Sequence, residues 1–113
     1  MYWIQDRIIN IMKLNIKNRL ILLQILPTQG SLSEMVEIMD LAKLVKLSDE
    51  EKELIAYTED NGNITWDSDK DPYKDIPLNS DKIKILKDII NKLDSEKKIS
   101  ISMLDLALEI NKL

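Results

Sequence analysis

The sequence contains no cysteine, no histidine and no phenylalanine, and it has only two glycines and three prolines. Each absence removes a class of chemistry. Without Cys there is no disulfide framework, no thiolate nucleophile and no thiolate metal site. Without His there is no imidazole base, no Ser-His dyad and no His-ligated zinc. No Gly-rich phosphate loop is present, and none of the carboxylates sits in a catalytic motif. These absences argue against an enzyme and against a bound cofactor. The longest uninterrupted aliphatic run, Leu20-Ile21-Leu22-Leu23, is far short of the roughly 20 residues a membrane span requires.

What is present is ordinary for a folded domain. Of 113 residues, 44% are hydrophobic and 32% charged. That length suits one domain, residues 1–113, burying roughly 65% of the unfolded chain's surface. Lys outnumbers Arg fourteen to two, which reads as coding bias rather than chemistry. The first twelve residues carry Asp6 and Arg7 inside an apolar stretch and offer no small-residue cleavage site, so no signal peptide is expected. The expected location is therefore the cytoplasm.

The net charge of −4 is unevenly placed. Residues 1–47 hold six bases and four acids, and residues 76–113 hold seven bases and six acids. Residues 48–75 hold three bases and ten acids, a net of −7. The acidity thus belongs to one central segment between two mildly basic flanks.

Apolar residues from Ile4 to Leu26 recur at three or four, which predicts helix, with Asn15 as a fresh N-cap that divides it in two. Pro27 ends that stretch. Ser31 and Glu34 then stand in capping-box spacing and open a helix to about Lys46; Ser48 and Glu51 repeat the spacing and open a short acidic helix to about Leu54. Asn61-Gly62 is a two-residue hairpin signal, since both positions of that turn need positive φ. It sets Tyr57 opposite Trp66 and Glu59 opposite Ile64. Ile55, Tyr57, Ile64 and Trp66 then share one face, with Thr58 and Thr65 on the other. Residues 75–78 are the candidate third strand of this sheet, confined to an edge by Pro77. Asn79 or Ser80 caps a further helix, and Ser100 or Ser102 begins a last one. The expected fold is a small α+β domain, four to five helices with a β-hairpin, extended to a three-stranded sheet, between residues 55 and 78.

Three constellations stand out. Asp67, Asp69 and Asp71 match the first ligand positions of a calcium-binding EF-hand loop, but Pro72 stands where glycine is needed and Leu78 where the bidentate glutamate is needed. The segment reads as a solvated acidic loop, and no metal site is expected. Helices before a hairpin also suggest a winged-helix DNA-binding regulator. Its reader helix would carry Asp49, Glu50, Glu51 and Glu53 against Lys52 alone, the wrong sign for a line of phosphates. Lys82, Lys84, Lys87, Lys92, Lys97 and Lys98 alternate with acids and read as the solvated face of an amphipathic helix. The same acidity suits the opposite role, imitation of nucleic-acid phosphates towards a basic protein groove.

Tyr2, Trp3, Ile4, Ile8 and Ile9 form an apolar start with no net charge and no flanking bases, which argues against a membrane surface and for docking on the domain's own core or on a second copy. The aliphatic faces of 16–26 and 101–113 likewise make a homodimer an expectation.

Leu20 to Leu26 leading into Pro27 and Gly30, then Leu47-Ser48-Asp49-Glu50-Glu51, then Gly62-Asn63-Ile64-Thr65-Trp66-Asp67, then Lys74-Asp75-Ile76 before a helix, resemble a group of small phage- and prophage-encoded proteins of unknown function. The likeness covers about residues 13–110. Residues 1–12 read as an extension to that pattern, with Met12 as an alternative start. The resemblance implies a phage setting and carries over no catalytic residue. The combined expectation is a non-enzymatic domain that binds a protein partner through Asp49, Glu50, Glu51, Glu53, Tyr57, Glu59, Asp60, Trp66, Asp67, Asp69 and Asp71. A DNA-binding regulator and a phage assembly factor are the alternatives.

Overall fold

A computed structural model describes residues 9–113. The expectations for Tyr2, Trp3, Ile4, Asp6, Arg7 and Ile8 lie outside the described residues. The order is β1 (Asn10–Leu14), α1 (Ile16–Ile25), α2 (Leu32–Val45), α3 (Asp49–Leu54), β2 (Thr58–Asp60), β3 (Asn63–Thr65), β4 (Lys74–Leu78), α4 (Ser80–Ser95), a 3₁₀ turn (Ile101–Met103) and α5 (Leu104–Asn111). The fold is α+β, as its sequence leads one to expect.

Four caps fall where the side chains predict them; the last helix differs, since Ser100 precedes the 3₁₀ turn without a side-chain cap bond and α5 starts at Leu104 behind Met103. Asn15 Oδ1 accepts from the Asn18 N–H at 2.9 Å and starts α1. Ser31 with Glu34 and Ser48 with Glu51 both close full capping boxes, and Asn79 caps α4. Asn61 and Gly62 have φ of 51° and 82°, and β2 pairs with β3 in the anticipated register, Glu59 opposite Ile64. Thr58 and Thr65 face each other on the far side, their hydroxyls hydrogen-bonded.

Two expectations are corrected. Residues 10–14 are strand rather than helix: Met12 and Leu14 are buried while Ile11 and Lys13 are exposed, the period of two that a strand imposes. The spacing of Ile8, Ile11, Met12 and Ile16 fits a helix equally well, so periodicity alone could not choose. β4, in turn, does not extend the hairpin. It pairs antiparallel with β1, Met12 opposite Ile76 and Ile11 opposite Pro77, so the described residues form two separate two-stranded sheets.

Proline has no N–H to give, so Ile11–Pro77 is a non-hydrogen-bonded pair, and by alternation Lys13–Asp75 is another. Pro77 turns its missing donor to an open edge, as anticipated. On the other edge the main-chain groups of Ile11 and Lys13 point away from the sheet.

The main core gathers Met12, Leu14, Leu22, Leu41, Val45, Ile76, Leu78, Leu86, Leu106 and Ile110 beneath the β1–β4 sheet. A second, smaller core of Ile16, Leu47 and Ile55 lies under the hairpin, half-covered by Leu20, Tyr57 and Trp66. Lys82 departs from the solvated face the sequence assigned it. It is buried against α2, its Nζ donating to Glu37 Oε1 at 2.7 Å and Asp40 Oδ2 at 3.3 Å. Burial alone would lower its pKa, but the hydrogen bonds and charge of Glu37 and Asp40 outweigh that and raise it.

Two helices end on left-handed residues. Ala56 (φ 53°) follows α3 and Lys97 (φ 56°) follows α4, with Tyr57 N–H donating to Lys52 O and Lys98 N–H donating to Leu93 O, both at 2.8 Å. This is the Schellman arrangement, in which glycine carries no Cβ penalty. Ala56→Gly and Lys97→Gly are each expected to add about 1 kcal/mol, read as a rise in the urea midpoint with unchanged slope.

Candidate functional site

The acidic segment is built outward from one buried guanidinium. Arg19, on α1, is fully buried. Its Nε donates to Val45 O and its Nη2 to Lys46 O, both at 2.8 Å, at the C-terminal end of α2. A cation there meets the negative end of the helix and its unpaired carbonyls. The same guanidinium grips Glu51 at two points, Nη1 to Oε2 at 2.5 Å and Nη2 to Oε1 at 3.1 Å.

Glu51 Oε1 also accepts from the Ser48 N–H at 3.0 Å, closing the α3 capping box. One side chain from α1 therefore fixes the end of α2 to the start of α3. The hydrogen bonds from Arg19 hold the Glu51 carboxyl at about 2, against burial, which pushes the other way; Ser48 assists. Glu51 is a structural carboxylate, and of all the acids proposed from sequence it alone is committed to the fold in this way.

The remaining acids are turned outward. Asp49, Glu50 and Glu53 are exposed on α3, and Glu59 and Asp60 are exposed on β2. Asp69 and Asp71 are exposed in the loop that follows the hairpin; Asp71 Oδ1 also accepts from the Ile16 N–H at 3.2 Å. Asp67 is half-buried. Its N–H donates to Ile55 O at 2.7 Å and its Oδ1 accepts from the Asp69 N–H at 3.1 Å, which pins the loop to the end of α3. Among the described residues no group of three or more acids is placed to hold a metal ion.

Tyr57 and Trp66 are half-buried over Ile16, Leu47 and Ile55, leaving one side of each ring at the surface. Lys52 Nζ lies 5.1 Å from the centre of the Tyr57 ring, within cation–π range. The Tyr57 hydroxyl donates to Glu59 Oε2 at 3.4 Å, and burial together with the Glu59 charge raises its pKa.

Charge neutralisation separates this surface from the rest of the molecule. Of the ten acids in residues 48–75, only Glu51 makes an ion pair among the described residues. Of the nine acids elsewhere among the described residues, Glu37, Asp40, Asp88, Glu96 and Glu109 all do. The sequence reveals the excess of acid, but not that local lysines leave it uncompensated.

Sequence reasoning missed Arg19 altogether. The signal available was position: one of only two arginines, three residues after Ile16 and three before Leu22, on the apolar face, in a chain with fourteen lysines. Among the described residues no helix is long and apolar enough to cross a membrane. Comparison of the chain with protein-family models, with curated proteins and with solved structures gives no match.

Proposed function

We propose that this chain is a small non-enzymatic binding protein of the phage type. In this reading it sets the acidic surface of α3, the hairpin and the following loop against a basic face of a host or defence protein, and so inhibits or modulates it. The observation that carries the reading is the set of nine acids in residues 48–75 that make no ion pair among the described residues, held on a base fixed by Arg19. A like-signed ridge of that kind speeds and orients encounter with a basic partner and repels duplex DNA. The exposed sides of Tyr57 and Trp66 supply apolar contact beside it.

The test uses tagged protein and host-cell lysate. Wild-type protein is expected to retain a discrete partner that is released by raised salt. The Asp49→Lys, Glu50→Lys, Glu53→Lys triple variant should lose it while keeping its far-UV circular dichroism. Glu51 is left in place, because its replacement would disturb the fold. Retention of the partner by the triple variant overturns the acidic-surface reading. A shift of random duplex DNA by micromolar protein at low salt would replace it with the DNA-binding reading, and a defined large oligomer by light scattering would favour an assembly role.

A further inference from the structure

Asn61-Gly62, at the tip of the β2–β3 hairpin, carries a chemistry besides its turn. Both residues are exposed, and of the chain's eight asparagines Asn61 alone precedes a glycine. The hairpin's side-chain hydrogen bonds, Tyr57 to Glu59 and Thr58 to Thr65, leave the Asn61 amide out. The Asp60–Asn63 pair closes the loop, and among the described residues the main-chain N–H of Gly62 is committed to no acceptor. The space beside it is open, since a Cβ at Gly62 would meet nothing within 4 Å. An amide carbon and a main-chain nitrogen one residue apart, both unengaged, are the two halves of an intramolecular reaction.

From these we infer that Asn61 is a modification site at which the chain itself turns a neutral amide into a carboxylate, at a pace set by opening of the hairpin. Hydroxide takes the Gly62 amide proton and the nitrogen attacks Asn61 Cγ. A bond forms between the two, the Cγ–Nδ2 bond breaks, and Nδ2 leaves as ammonia with a proton from water. Water then opens the five-membered imide at either carbonyl, giving aspartate or its β-linked isomer; nothing is oxidised or reduced. Ring closure needs the Gly62 nitrogen nearly eclipsed with Asn61 Cβ about the Cα–C bond. In the mirror-image turn marked by φ of 51° and 82° the two lie nearly opposite. The loop must therefore open first, and strands of three residues on each side hold it weakly. Every other asparagine is followed by a residue whose side chain crowds the attacking nitrogen. Conversion adds one negative charge next to Glu59 and Asp60. The β-linked product also lengthens the two-residue loop by one main-chain atom, which no longer matches the twist of the strands.

The test incubates the full chain in mildly alkaline buffer beside a synthetic peptide of residues 58–65, with samples digested and read by mass spectrometry. Asn61 is expected to gain one mass unit, at least threefold more slowly in the chain than in the peptide. The Thr58→Gly, Thr65→Gly variant, which removes the hydroxyl pair behind the loop, should convert faster than wild type while keeping its far-UV circular dichroism. Asn61→Asp, with no ammonia to lose, should gain nothing at this position. A methyltransferase specific for β-linked aspartate should label aged wild type at residue 61. The Asp49→Lys, Glu50→Lys, Glu53→Lys variant should convert at the wild-type rate, so this reading and the acidic-surface reading fail separately. No gain at Asn61 after thirty half-lives of the peptide, an earlier gain at another asparagine, or equal rates in chain and peptide would overturn it.

Discussion

Arg19→Met should lower the stability of the domain by about 3–5 kcal/mol, the range for breaking one side of a buried ion pair. The replacement fills much of the same volume, so the loss is electrostatic rather than a cavity. Glu51 would be left partly buried without its cation, and the Val45 and Lys46 carbonyls would lose their donors. Arg19→Lys should recover little, because an ammonium cannot bridge two carbonyls and a carboxylate from one fixed plane. Adding Glu51→Gln to Arg19→Met should return part of the loss: the stranded charge goes, and the amide can still close the capping box on Ser48. Urea denaturation of the three variants checks this, and equal stability of Arg19→Met and wild type would refute it.

The same pair gives the domain an acid dependence of known sign. The Glu51 carboxyl sits at about 2 in the fold, against an ordinary value of 4.5. A group depressed by folding contributes its full stability above its unfolded value and loses it as the pH falls through the folded one. Stability should therefore decline from about pH 4.5 towards pH 2, and the slope in that window should be shallower in Glu51→Gln.

Leu14→Ala should cost about 2–5 kcal/mol, the range for truncating a fully buried leucine. Leu14 is wholly enclosed in the main core, and Met12, on the same face of β1, is nearly so. Ile11 and Lys13 lie between them on the outer face. A series along β1 should alternate: Met12→Ala and Leu14→Ala large, Ile11→Thr and Lys13→Thr within about 0.5 kcal/mol of wild type, as surface changes usually are. A helix through residues 10–14 would not give that alternation, since 11 and 14 would share a face and 12 would not oppose 13. Thermal melts of the four variants decide between them.

Where the sequence carried a local chemical instruction, it was legible. Asn15, Ser31, Ser48 and Asn79 each satisfy an exposed helix-start amide with their own side chain, and no distant residue is needed to do so. Asn61-Gly62 bends the chain by backbone preference alone, and the register of the hairpin follows from it. The acidic segment was legible for the same reason, because charge is a property of composition. Of its members, Glu51 changed meaning once its surroundings were known: a capping glutamate by spacing, it is also the partner of an arginine 32 residues away.

Lys82 failed in the same way. Its neighbours in sequence are charged and alternate, which describes a wet helix face, yet Glu37 and Asp40 of another helix draw it inward. The fold of residues 10–14 failed for a different reason. A short apolar segment supports either period, and the choice between them rests on whether an edge is available to accept its backbone hydrogen bonds. β4 supplies that edge from more than 60 residues further along the chain.

Sequence by itself thus determined the starts of α1 to α4, the hairpin and the sign of the central surface, because each is decided within a few residues by side-chain hydrogen bonds, allowed dihedrals or charge. Tertiary structure decided which strand β4 joins and that Arg19 and Lys82 lie inside. Each of these depends on pairing groups far apart in the chain, where burial sets the energy and the local pattern carries no information about the partner.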